Sequence, residues 1–196
     1  MSAEVIGPVP EGSDPDAYDR LRRRVLWSLP TGLFVIGSRV GERRNLMTAN
    51  WVMQVAVRPK LVAVSVERGS VTAALIAEGG RFSVSVLSRD DRAMVRRFVK
   101  PVEDVETDPS GVAVAMQGVP VQEVGSGLPC LGSAVSWLSC GVRHTGDWRE
   151  ESDSTPASHL LFVGEVVDAG EINVPGPGVD PSGILRMEDT RMNYGG

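Results

Sequence analysis

The sequence predicts a mostly β protein in which long antiparallel strands close, fully or in part, into a barrel, with short helices between them. Three observations carry this reading. Long β-branched and alternating runs recur along the chain, with turn residues between them. Helical patterns are few and short, and they do not alternate with strands as a parallel doubly wound sheet requires. Closing the sheet also removes the exposed edges that so many strands would otherwise leave.

Residues 1–15 are rich in Pro, Gly and acid and read as a loose tail, leaving 16–196 as a single domain. Over 16–28, Tyr18, Leu21, Arg22, Val25 and Leu26 recur at helical spacing, which predicts a helix lying on the domain and ended by Pro30. "TGLFVIGSRV" (31–40) is a strand, "GERR" (41–44) a turn, and "NLMTANWVMQVAV" (45–57) a strand returning antiparallel. Pro59 breaks the run because proline has no N–H for a ladder. "KLVAVSVE" (60–67) is nearly all apolar, as a strand covered on both faces should be.

Ser70 caps the helix "VTAALIAE" (71–78), and Gly79-Gly80 ends it. "RFSVSVL" (81–87) alternates with period two, a half-buried strand. Ser88 opens the helix "RDDRAMVRRFV" (89–99), with Asp91 placed as in a capping box and Met94, Val95 and Phe98 as its apolar stripe. Short strands follow at 112–116 and 119–124. Two long strands, "LGSAVSWLSCGVR" (131–143) and "SHLLFVGEVVDAG" (158–170), flank a polar loop at 144–157. A Pro/Gly linker covers 173–183, and Leu185, Met187 and Tyr194 dock the C-terminal end.

The balance of 20 basic against 25 acidic residues argues against nucleic-acid and membrane-surface partners. No apolar run is long enough to span a bilayer, and the N-terminus lacks the basic and apolar regions of a secretory signal, so a cytoplasmic location is expected. Cys130 and Cys140, with His144 and His159 as the only histidines, match no zinc spacing; no metal is expected, and the cysteines read as buried thiols. No phosphate loop, dinucleotide fingerprint or nucleophile elbow is present. A serine triad would need His144 or His159 as its base, and no serine is locally marked as its nucleophile.

"RRNLMTANW" (43–51) puts small and amide side chains where a strand core wants bulk. Around Thr48, Ala49 and Asn50 the backbone is nearly unobstructed and can offer N–H groups to a planar heterocycle. The next strand runs into "SVERGSVT" (65–72), a Gly-Ser turn opening a helix whose first N–H groups are unpaired. Ser70 and Thr72 there suit a phosphate, and Arg68 adds charge. The same residues also suit a plain helix cap and a solvated strand, and spacing alone does not choose.

In order along the chain, "PTGLFVIGSR", "NLMTANWVMQVAVRPKLVAVSVERGSVTAALIAEGGRFSVSVL", "VRRFVKP", "LSCGVR", "HLLFVGEVVDAG" and "LRMEDTRMNYGG" resemble the flavin reductase-like family, from about residue 22 to 196. The resemblance implies the FMN-binding split β-barrel, antiparallel and Greek-key-like. It implies an NAD(P)H:flavin reductase acting on FMN, with FAD possible, and NADH or NADPH as co-substrate. Thr48, Ala49 and Asn50 would contact the flavin ring, with Leu46 and Met47 nearby. Ser65, Val66 and Glu67 would border the ribityl chain, Ser70 and Thr72 would hold the phosphate, and His159 would stand on the nicotinamide side as the catalytic candidate. The implied assembly is a homodimer, and the implied partner is a flavin-dependent monooxygenase.

Two departures stand out. Ser158 precedes His159 where the family commonly has an acid, leaving Asp153 in the preceding loop as a replacement. Trp51 is bulky beside the ring site, where it either stacks on the ligand or fills the core; its apolar area favours core. The missing acid is the feature that favours the alternative function, a flavin-binding or repurposed barrel (a biosynthetic isomerase or cyclase, or a ligand-binding scaffold) without reductase turnover.

Overall fold

The computed structural model describes residues 7–149, 155–172 and 183–190. Residues 1–6 of the expected tail, the linker at 173–182, Asp153 and Tyr194 lie outside the described residues. Among the described residues, eleven strands form two sheets. The larger has seven: β1 (Phe34–Val40), β2 (Arg43–Ala49), β3 (Val52–Ala56), β4 (Leu61–Glu67), β5 (Arg81–Val86), β10 (Ser136–Gly146) and β11 (His159–Glu171), in the spatial order β2-β1-β5-β10-β11-β4-β3. The smaller holds β6 (Val105–Thr107), β7 (Ala113–Met116), β8 (Val119–Val124) and β9 (Leu128–Leu131), in that order. Every pairing is antiparallel, as the alternating patterns require.

The two edge strands of the large sheet, β2 and β3, are joined only by Asn50 and Trp51. Across a flat seven-stranded sheet those edges would lie roughly 29 Å apart, whereas three Cα steps span at most about 11 Å. The sheet therefore curls until its two edge strands come together at this corner, without pairing with each other among the described residues, and this makes the split barrel. It also corrects one expectation: 45–57 is not a single strand returning on β1. Its first half pairs with β1 (Ile36 opposite Met47) and its second half with β4 (Val52 opposite Val64).

β1 is buried on both faces, so its alternate residues feed two cores. Val35 packs with Leu46, Leu87, Val95, Phe98, Met116 and Leu131, between the large sheet and the small one. Ile36 packs with Val64, Val66, Ile76, Phe82 and Phe162. Helix α2 (Val71–Gly79) enters the second core through Ala73 and Ile76. Ser70 caps it by accepting from the Ala73 N–H at 3.1 Å, and Gly80 ends it with φ +65°, both as the sequence indicates. The buried Arg44 guanidinium reaches Glu123 at 3.2 Å and donates to the Gly111 carbonyl at 2.7 Å, pinning β2 to the small sheet.

Other expectations shift. Helix α1 (Pro15–Trp27), capped by Asp14, buries none of its residues fully, and Tyr18, Asp19, Arg22 and Arg23 are half-buried. Part of the tail is held rather than loose, since the Arg22 guanidinium donates to the Pro8 carbonyl at 3.3 Å. Residues Arg89–Phe98 form a 3-10 helix rather than an α-helix. Leu131 closes β9, separate from β10, and β10 runs on to Gly146, so His144 belongs to a strand and not to the polar loop. The bulge between Val142 and His144 lets β10 continue past a register shift.

Candidate functional site

Four segments converge at one end of the large sheet: the corner 48–51, the end of β4, the start of α2 and the start of β11. The Ser65 N–H donates to the Trp51 carbonyl at 3.0 Å, tying the corner to β4. His159 sits opposite Glu67 in the β11–β4 ladder. The Arg68 N–H donates to the Ser158 carbonyl at 2.8 Å, and two residues later Ser70 opens α2.

Within β2 the side chains are mostly occupied. Leu46 is fully buried in the first core, so only its backbone is left to face a ligand. Val66 is fully buried in the second core, so its side chain packs and only its backbone could border a ligand. Ala49 and Asn50 are buried, while Met47 is half-buried against the second core. Thr48 donates its hydroxyl to the Val95 carbonyl at 2.6 Å, bolting β2 to the 3-10 helix. What β2 can present to a ligand is therefore chiefly backbone. Among the described residues its only ladder partner is β1, and in an antiparallel edge strand alternate residues aim N–H and C=O away from that partner.

At α2, the four leading N–H groups can be followed one by one. That of Ser70 goes to the Glu67 carbonyl and that of Ala73 to the Ser70 hydroxyl. Among the described residues, those of Val71 and Thr72 have no acceptor, which leaves two adjacent donors at the positive end of the helix. The Thr72 hydroxyl is not part of this cradle. It is buried and accepts from the Asn45 amide at 2.8 Å, so Thr72 would offer a phosphate its backbone N–H. Arg68 is already engaged: its guanidinium pairs with Asp147 and donates to the Ala157 carbonyl at 2.8 Å. That hydrogen bond from Arg68 is also the main reason the Asp147 carboxyl is held below its ordinary range.

Ser65 and His159 are half-buried and Glu67 is exposed. The imidazole shares a hydrogen bond at 2.9 Å between Nδ1 and the Ser158 hydroxyl, where an acid was missing. Trp51 is not simply core: it is half-buried, with its ring edge-on to His159. Burial lowers the His159 pKa, and the Glu67 charge opposes this without overcoming it. The sequence reading missed the bracing of the His159 segment by Arg68. The pattern "VERGS" gave only a charge next to a turn, and Asp147 is too distant in sequence to mark as its partner. No group of three or more His, Cys, Asp or Glu able to hold a metal occurs among the described residues.

The model of the flavin reductase like domain matches residues 26–180. The chain belongs to the flavin reductase like family. Within it, the chain is 30% identical over 158 residues to the NADH-dependent flavin reductase StyB of Pseudomonas fluorescens, covering 79% of this chain and 81% of that protein. It is 30% identical over 166 residues to an NADH-dependent FAD reductase of Streptomyces globisporus, covering 84% and 82%. The solved structure of flavin reductase PheA2 in its native state superposes with a TM-score of 0.60 at 29% identity, over 78% of this chain and 87% of that one. The match to diflavin flavoprotein A 1 of Synechocystis, 30% identical over 112 residues, spans only 18% of that longer protein.

The site fits the flavin nucleotide that the family's name implies. An open strand edge can take the polar rim of a flat ring, and two acceptor-less N–H groups one strand away can take a phosphate. Each is a donor set that a core would not leave unfilled without a ligand or water.

Proposed function

We propose that this chain is an NAD(P)H:flavin reductase that binds FMN or FAD at the corner 48–51 and the start of α2. The observation that carries this reading is the pair of free N–H groups at Val71 and Thr72, set beside the open edge of β2. When bound, the flavin supplies the redox chemistry, accepting hydride from NADH or NADPH. The protein's own work is positional. The β2 backbone orients the ring, the α2 N-terminus and Ser70 fix the phosphate, and Ser65 and Glu67 border the chain between them. His159, opposite Glu67 and shielded by Trp51, stands where a nicotinamide would approach. Kept neutral at pH 7 by burial, it can donate or accept one hydrogen bond without adding charge near the hydride path.

Two exposed apolar faces support a homodimer. Leu21, Val25, Leu26, Trp27 and Leu29 are exposed along α1 and its exit, and Met53, Val55 and Val57 are exposed along β3 and just beyond it. Reduced flavin would pass to a flavin-dependent monooxygenase in the cytoplasm, a location supported by two free, buried thiols. Residues 16–196 then act as one domain.

Anaerobic mixing of the purified protein with FMN and NADH should bleach the flavin's visible absorbance within seconds. Absence of bleaching with FMN and with FAD, using either nicotinamide, rejects the reductase. The alternative, a flavin-binding barrel without turnover, is motivated by the serine that precedes His159; it predicts flavin binding without bleaching.

A further inference from the structure

A second concave surface lies beside this site. Arg92, Ala93, Arg96, Asp189 and Thr190 line a cleft of about 450 Å3 between the 3-10 helix and the C-terminal segment. Its acid is already committed. The Asp189 carboxylate receives the Arg186 N–H at 2.9 Å and the Arg89 guanidinium at 3.0 Å, and the Arg186 backbone bond, first, holds its pKa low. Thr190 donates its hydroxyl to the Met187 carbonyl at 2.9 Å. Arg92 and Arg96, by contrast, have neither an ion pair nor a side-chain hydrogen bond among the described residues. A cleft with two unpaired guanidiniums, and a carboxylate whose charge Arg89 balances, is cationic, although the whole chain carries a net charge of -5.

We propose that this cleft is a phosphate-ester site that reads the nucleotide half of a ligand whose reactive ring lies on β2. The proposal rests on the flavin-reductase reading for its ligand. The placement follows from Thr48: its bond to the Val95 carbonyl fixes the helix bearing Arg92 and Arg96 directly against β2. The chemistry follows from the guanidinium, whose planar fork matches phosphate oxygens two at a time. The need follows from Arg68, which is spent on Asp147 and Ala157 and leaves the α2 cradle without a free cation. The volume suits a phosphate and its sugar. Two ligands carry such a group beyond the first phosphate: NADPH through its 2′-phosphate, and FAD through its diphosphate.

Calorimetric titration with inorganic pyrophosphate tests the site without any flavin. The wild type should bind, and Arg92→Glu/Arg96→Glu should weaken binding on the order of tenfold or more. Arg20→Glu/Arg24→Glu on α1, with the same charge change at two other exposed arginines, should leave it unchanged. No binding to the wild type, or equal affinity in all three proteins, overturns the proposal. Two kinetic ratios then name the source. A fall in the NADPH-to-NADH ratio of kcat/KM in the double variant assigns the 2′-phosphate, and a fall in the FAD-to-FMN ratio assigns the diphosphate. Loss of pyrophosphate binding with both ratios unmoved overturns the nucleotide assignment. A protein that binds pyrophosphate through Arg92 and Arg96 but never bleaches flavin sinks the reductase reading while the anion site stands.

Discussion

The indole of Trp51 meets the imidazole of His159 edge to face, with ring centroids 4.8 Å apart and planes inclined at 63°. The contact covers one side of the imidazole and contributes to the burial that lowers its pKa. Trp51→Ala should uncover the ring and bring its pKa back up toward 6.5, as followed by NMR titration of the imidazole carbon-bound protons. An unchanged titration would show that the indole is not what shields it.

The same shift sets a pH dependence of stability. With the folded pKa below the unfolded value of 6.5, the unfolded chain binds more proton between the two. Stability from this group is fully present above 6.5 and falls as pH drops toward the lowered folded value. Urea midpoints of the wild type should therefore decline through that window, and His159→Gln should decline less. Identical slopes in the two proteins would contradict the assignment.

Ser70 allows cap and ligand to be separated. Ser70→Ala leaves the Ala73 N–H without its acceptor and should cost about 1 kcal/mol of stability, together with flavin affinity. Ser70→Asp should keep the cap, since aspartate caps as well as serine, yet repel the phosphate. Full thermal stability with lost FMN binding is the expected outcome; tight binding by the aspartate variant would remove the phosphate from α2.

Arg68 holds the segment before His159 through the Asp147 pair and the Ala157 carbonyl. Both charged groups are partly exposed, so Arg68→Met should change stability by less than about 1 kcal/mol. Its effect should fall instead on the nicotinamide step, with KM for NADH rising and FMN affinity retained. If FMN affinity falls and KM does not, Arg68 serves the phosphate after all.

Burial pushes the Cys130 thiol up to about 11 and the Cys140 thiol up to about 12. Neither should react with a disulfide reagent at pH 8 in the folded protein, and labelling should track unfolding in urea. Rapid labelling of the native protein would show an opening of the core that these positions do not suggest.

Much of the fold was legible because its signals are local. The cap at Ser70, the stop at Gly80, the both-faces apolar run of β4 and the alternation of β5 each state themselves within a few residues. The break after Ala49 does not. No glycine or proline marks Asn50 and Trp51, and the two halves part only because distant strands claim them as neighbours. β9 was hidden by Pro129, which an edge strand tolerates and a central strand does not. The site was half legible. "TAN" and "VERGSVT" mark two segments that the fold brings together, but Leu46, Val66 and the Thr72 hydroxyl turn inward, and sequence cannot say which way a strand's residues face until the sheet closes.

The link between β2 and β3 holds no slack. One added residue at Asn50–Trp51 would invert the side-chain alternation on one bank of the seam, driving Met53 and Val55 inward or Leu46 into water. The stretch that would cradle a ligand is thus also the rivet of the barrel. Reshaping it for a different ring must proceed by exchange of side chains and not by change of length.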